Sequence, residues 1–155
     1  MEDIFSDEPI KAIGVCRVAT TQQEQECDAM IDQRQRIEKA AKDKNYVIVA
    51  WFEQVGRAKN PWEETALQEA HQYCMDNPDV TRLLVASPDR ISRFLSSYRW
   101  WIDSFYAHDV DIEFTDFDTR YYKQTLVNMA IHEFYSRSQA AKKKGKGAVK
   151  ISPTA

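Results

Sequence analysis

The stretch VCRVATTQQ, Val15 to Gln23, decides how this chain reads. The apolar segment leading into it, KAIGVCRV, is short and flanked by polar residues, the pattern of a buried strand. It runs directly into hydroxyl and amide side chains, with Arg17 placed just before the change. A strand ending in this way marks a polar site at a sheet edge. The position best placed for a nucleophile, however, is Ala19, which carries no reactive atom.

Working outward, apolar runs and amphipathic stretches alternate. Ala29, Met30, Ile37, Ala40 and Ala41 recur among charges between Gln25 and Lys44, as on a helix with one buried face. YVIVAWF is β-branched and aromatic, a second strand. EQVGRAKNP is a loop punctuated by Gly56 and Pro61, and a helix is expected from about Glu63 to Asp76. TRLLVAS reads as the third strand, PDRISRFLSS as a loop, YRWWIDSFYAH as a helix and VDIEF as the fourth strand. KQTLVNMAIHEFYSRSQAAKKKG then forms one long helix, with Leu126, Met129, Ala130 and Phe134 on one side and Gly145 and Gly147 ending it. The order β-α-β-α-β-α-β-α implies an α/β fold, a mainly parallel sheet of four to five strands flanked by helices. The chain divides into a polar leader (1–9), a sheet domain (10–122), the long helix (123–146) and a basic, flexible tail (147–155).

A length of 155 residues suits one domain with a hydrophobic core, and 43% apolar with 29% charged residues is a globular composition. The net charge of −3 creates no global attraction to nucleic acid. The charges are uneven, though: KKKGKGAVK carries Lys142, Lys143, Lys144 and Lys146 among its lysines and no acid, a local footprint suited to phosphate. Cys16, Cys27 and Cys74 lack C-x-x-C spacing, which argues against a disulfide framework or a zinc site. His71, His108 and His132 are scattered and suggest no metal site. No signal peptide and no bilayer-length apolar run is read, so the expectation is a cytoplasmic protein with no membrane attachment, metal or small-molecule cofactor.

Ligands of open parallel sheets sit beyond the carboxyl ends of the strands. That rule gathers Arg17, Thr20, Thr21, Gln23, Asp89, Arg90 and Arg93 around one crevice. Guanidinium groups are planar, stay charged and match phosphate oxygens, so three of them together suggest a phosphate. The plainer use of Arg17 is a structural ion pair, with Asp89 as the partner.

In order and spacing, these motifs resemble the catalytic domain of serine recombinases: resolvases, invertases and serine integrases. VCRVATTQQ is similar to that family's Y-x-R-V-S-T-x-x-Q, and DRISR, Asp89 to Arg93, fits its D-R-[LI]-x-R. NMAIHEFYSRSQAAKKKGKG resembles the family's long helix. The resemblance implies a resolvase-like catalytic domain in which Arg17 binds the scissile phosphate and Gln23 supports the site. Arg90 and Arg93 would stabilise phosphate charge, with Asp89 orienting them. It also implies DNA contacts from Arg17, Arg90, Arg93 and the lysines, and a dimer interface on Leu126, Met129, Ala130 and Phe134. The family's serine attacks a DNA phosphodiester, forms a phosphoserine link and frees a 3′ hydroxyl. Here Ala19 holds the serine's place, and Thr20 and Thr21 are misplaced by the strand alternation. A second departure comes after the second strand, where Val55-Gly56 stands for S-G and no arginine aligns cleanly among Arg57, Lys59, Asn60, Pro61 and Glu64. The expected function is a DNA-binding serine recombinase relative that does not cut. It would act as a homodimer, as a heterodimer with another serine recombinase or as a tetramer, or regulate a recombinase of a mobile element or phage. The alternatives are a working recombinase with an engineered Ser→Ala change, and a protein-interaction module without DNA binding.

Overall fold

Four apolar runs pair side by side into one parallel sheet: β1 (Ile10–Val18), β2 (Tyr46–Val55), β3 (Val80–Val85) and β4 (Asp111–Phe114), in the spatial order β2-β1-β3-β4. The helices are α1 (Gln23–Asp43), α2 (Thr65–Asp76), α3 (Leu95–Tyr106) and α4 (Thr119–Ile151). Short 3₁₀ turns at Pro61–Glu63 and Pro88–Arg90 precede α2 and follow β3. The structure is a computed structural model that describes residues 8–18, 23–56, 61–116 and 119–151, without the side chains of 23–28, 61, 119–121 and 144–151. The expected leader and the last four residues lie largely or wholly outside the described residues, as does Ala19.

Strand alternation sorts the core onto two faces. Ile13 and Val15 of β1 join Leu83 and Val85 of β3 in the larger cluster, closed by Leu67 and Ala70 of α2, Trp101 and Phe105 of α3 and Met129 of α4. On the opposite face Ala12, Cys16 and Leu84 pack under Ile37 and Ala41 of α1. Strands covered on both sides read as continuous apolar runs, which is why these four stand out in the sequence.

Two features of β1 set its surroundings. Gly14 pairs in register with Trp51 of β2, whose ring lies across it: a Cβ there would sit 2.4 Å from the ring. Arg34 of α1 stacks over the same ring at 4.5 Å from its centroid. At the carboxyl end, pairing between β1 and β3 stops at Val15 and Val85, two residues short of Arg17.

The long helix differs from expectation at both ends. It starts at Thr119 rather than Lys123 and passes through Gly145 and Gly147 to Ile151. Each glycine disfavours the helix by about 1 kcal/mol, which the flanking alanines and lysines, good helix formers, offset. Its apolar residues also divide between two faces. Met129 is buried in the core and Leu126 packs against that core, whereas Phe134 is 74% exposed. Five residues at 100° each set Phe134 about 140° round the helix from Met129, so the two do not share a face. Ala130 is half-buried between them.

Gly14→Ala should lower stability by about 1–3 kcal/mol, the usual effect of overpacking, as read by urea denaturation. Adding Trp51→Leu should recover part of that loss, because the three atoms nearest that Cβ all belong to the indole.

Candidate functional site

Where β3 stops, side chains take over from main chain. The peptide group of Arg17 has no β3 partner, and the buried amide of Gln33 on α1 fills the place: Arg17 N–H donates to Gln33 Oε1 at 3.1 Å, and Gln33 Nε2 donates to the Arg17 carbonyl at 2.9 Å. Arg90 Nη1, from the turn after β3, donates to the same carbonyl at 3.0 Å. Arg17 and Arg90 are thus brought together, and both belong to the predicted crevice.

The Arg17 side chain continues the inward face of Ile13 and Val15 and is 7% exposed. Its Nη2 donates to the Asp89 carbonyl at 2.5 Å, and its Nη1 faces Glu64 Oε1 at 3.4 Å. The ion-pair partner is therefore Glu64, in the loop before α2, and Asp89 contributes a carbonyl rather than its carboxylate to Arg17. The Asp89 carboxylate accepts the Ser87 hydroxyl at 2.5 Å instead. Glu64 is 1% exposed and is steered by Gln54, the register partner of Arg17 on β2. Gln54 Nε2 donates to Glu64 Oε2 at 3.2 Å, and Gln54 Oε1 accepts the Ala66 N–H at 3.0 Å. Gly56, at φ +105°, ends β2 and donates its N–H to the Val18 carbonyl at 2.8 Å, tying the loop to the end of β1.

Burial dominates the electrostatics. It pushes the Glu64 carboxyl up to about 7, against the opposing pull of Arg17 and the Gln54 amide. Burial likewise lowers Arg17, which Glu64 counters and the nearby Arg93 reinforces. An ion pair at this long separation does not make up for the loss of water around both charges.

Arg93 and Asp89 line a cleft of about 370 Å³ whose other wall is α4, with Thr125, Asn128, Met129 and His132. The His132 ring lies 5.3 Å from that of Phe94. Arg90 and Arg93 are both half-buried. Of the other expected residues, Gln23 opens α1 but its side chain is outside the described residues. Lys142 and Lys143 are exposed on α4, and Lys144 and Lys146 lie on the same helix without described side chains. Among the described residues no cluster of three or more histidine, cysteine or acidic side chains is arranged to hold a metal. No described helix is long and apolar enough to cross a membrane. Sequence reasoning missed Gln33 and Gln54 and left Glu64 only as a gap candidate. Gln54 carried a usable signal, a polar residue closing an otherwise apolar run.

Chemically, Arg17 and Arg90 meet at the strand ends and Arg93 lines the neighbouring cleft, and guanidinium groups are planar donors that match phosphate oxygens. Residues 12–148 match the family described as Resolvase, N terminal domain. This chain belongs to that family. Its fold is the resolvase-like fold of serine recombinase catalytic domains. The N-terminal catalytic domain of TP901-1 integrase is 21% identical with a TM-score of 0.61, over 84% of this chain and 98% of that one. A resolvase family site-specific recombinase from Streptococcus pneumoniae is 18% identical with a TM-score of 0.62, over 91% of this chain and 97% of that one. The C-terminal catalytic domain of ISC1926 TnpA, an IS607-like serine recombinase, is 21% identical with a TM-score of 0.60, over 86% and 97%. No curated protein matches the sequence.

Because folding raises the Glu64 pKa from 4.5 to about 7, the folded resolvase domain binds more protons than the unfolded chain within that window. Its stability should therefore fall as pH rises through the window and level off above it, by an amount on the order of 1–3 kcal/mol. Denaturant midpoints across that range should show the slope in the wild type and lose most of it in Glu64→Gln.

Proposed function

We propose that this chain is a serine recombinase domain that holds DNA through its backbone phosphates without cutting it, and that it pairs with a second recombinase chain through α4. One observation carries the reading: three phosphate-binding arginines of the family pattern, Arg17, Arg90 and Arg93, are present although the one after the second strand is not, while the nucleophile position is Ala19. A methyl group has no lone pair to attack phosphorus, so the covalent phosphoserine route has no first step. The meeting of Arg17 with Arg90, and the placing of Arg93 on the adjoining cleft, support a common phosphate site. Lys142, Lys143, Lys144 and Lys146, along one helix, would extend the contact to neighbouring phosphates.

Pairing is supported by the outer face of α4. Val127, Ile131, Phe134 and Tyr135 are 50–74% exposed and recur at helical spacing on the side away from the core. An apolar stripe of this kind marks an interaction surface. A partner with an intact serine would then supply cleavage at a DNA site that both chains occupy, which is one way for this chain to regulate a mobile element or phage recombinase.

Arg90→Ala with Arg93→Ala should weaken binding of a DNA duplex roughly tenfold or more at low salt. The log–log salt slope should become shallower by about 0.9 for each phosphate no longer neutralised. Unchanged affinity in that double variant would remove the phosphate site. Ala19→Ser should be assayed on supercoiled DNA for nicking and covalent attachment. A covalent adduct would show that the rest of the machinery is working and that the alanine alone silences it; no adduct would show that the silencing lies deeper. Phe134→Asp should reduce self-association in sedimentation, whereas an unchanged oligomeric state would discount the α4 stripe.

A further inference from the structure

We propose that Glu64 is a proton-linked competitor for Arg17: the buried carboxylate occupies the guanidinium until a DNA phosphate displaces it, and the displaced carboxylate takes up a proton. The inference rests on the reading of Arg17 as a phosphate ligand and adds a regulator to that site. Both terminal nitrogens of Arg17 already have partners, Glu64 on one and the Asp89 carbonyl on the other. Arg17 is only 7% exposed, so a phosphate reaching its guanidinium competes with these two neighbours for the same space. The Asp89 bond is the shorter and is made to the main chain, whereas the Glu64 contact is long at 3.4 Å and belongs to a side chain. The carboxylate is the contact that yields.

Once it yields, Glu64 is buried without its cation and beside an arriving anion. Both changes favour the neutral acid, so one proton passes from solvent to a Glu64 carboxylate oxygen as the phosphate binds. Gln54 keeps the acid in place, because its amide still reaches Glu64 Oε2. The charged and titratable groups around the pair, among the described residues, are Asp89, Arg90 and Arg93 after β3, Glu63 next to Glu64, and His132 across the cleft. Arg90 and Arg93 remain for the phosphate whatever the state of Glu64. The competition therefore tunes affinity rather than abolishing binding.

The test is binding of a short mixed-sequence DNA duplex by fluorescence anisotropy between about pH 6 and about pH 8, with His132→Gln in every chain to remove the imidazole that lines the cleft. The parent chain should bind more weakly as pH rises, by up to about tenfold per pH unit, the limit for one linked proton. Glu64→Gln should bind roughly tenfold more tightly than the parent at the upper end, with its pH slope flattened. If Glu64→Gln follows the parent at every pH while Arg17→Gln is weak, the competition is overturned and the phosphate role of Arg17 stands. If Arg17→Gln binds as the parent does, that role falls, and the competition with it. Should circular dichroism show that Glu64→Gln does not fold, calorimetric titration of the parent in two buffers of different ionisation enthalpy decides. Net proton uptake on binding supports the competition, and none overturns it.

Discussion

A buried cation at the end of the central strand organises one side of this molecule. Taking a guanidinium out of water costs several kcal/mol unless its donors are met, and breaking one partner away from a buried pair costs about as much again. The Arg17 guanidinium is met by the carboxylate of Glu64 before α2 and the Asp89 carbonyl after β3, while Gln33 on α1 and the Arg90 side chain hold its peptide group. Glu64 reaches Arg17 from just before α2 and the Asp89–Arg90 turn from just after β3, whereas Gln33 reaches it from the middle of α1. The early end of β3 opens the space, and Gln54, paired with Arg17 across the sheet, draws Glu64 into it.

Much of this was legible in the order of residues. The strands show as apolar runs because helices cover the sheet on both faces, and parallel connections force α/β alternation. VCRV and DRISR land at adjacent strand ends, so the neighbourhood of Arg17 and Arg90 is set by topology alone. Glu64 is another matter. It sits in a polar loop beside Glu63, and nothing in the sequence tells that one of the two acids turns inward to 1% exposure while its neighbour stays at the surface. That choice is made by the reach of Gln54 across the end of the sheet, a tertiary fact. The ion-pair partner predicted for Arg17, Asp89, was right about the place and wrong about the group that binds.

The long helix shows the same limit. Apolar residues three to five apart look like one stripe when written in a line, yet the pitch of a helix separates Met129 from Phe134. Met129 helps close the core of its own chain, while Val127, Ile131, Phe134 and Tyr135 face outward. A single helix thus serves as a wall of the fold and as an apolar surface for something else. Its inner side is fastened to α3 by Glu133, which accepts the Ser96 hydroxyl and pairs with Arg137.

The hydrogen bonds of Gln33 have a genetic consequence. In an ordinary sheet the partner of a peptide group is another peptide group, which no substitution short of proline removes. By ending β3 two residues early, this fold gives the Arg17 peptide a partner encoded by one codon on a helix sixteen residues away. The backbone posture of the arginine is thereby open to inheritance and change, through a residue that makes no claim on the ligand itself.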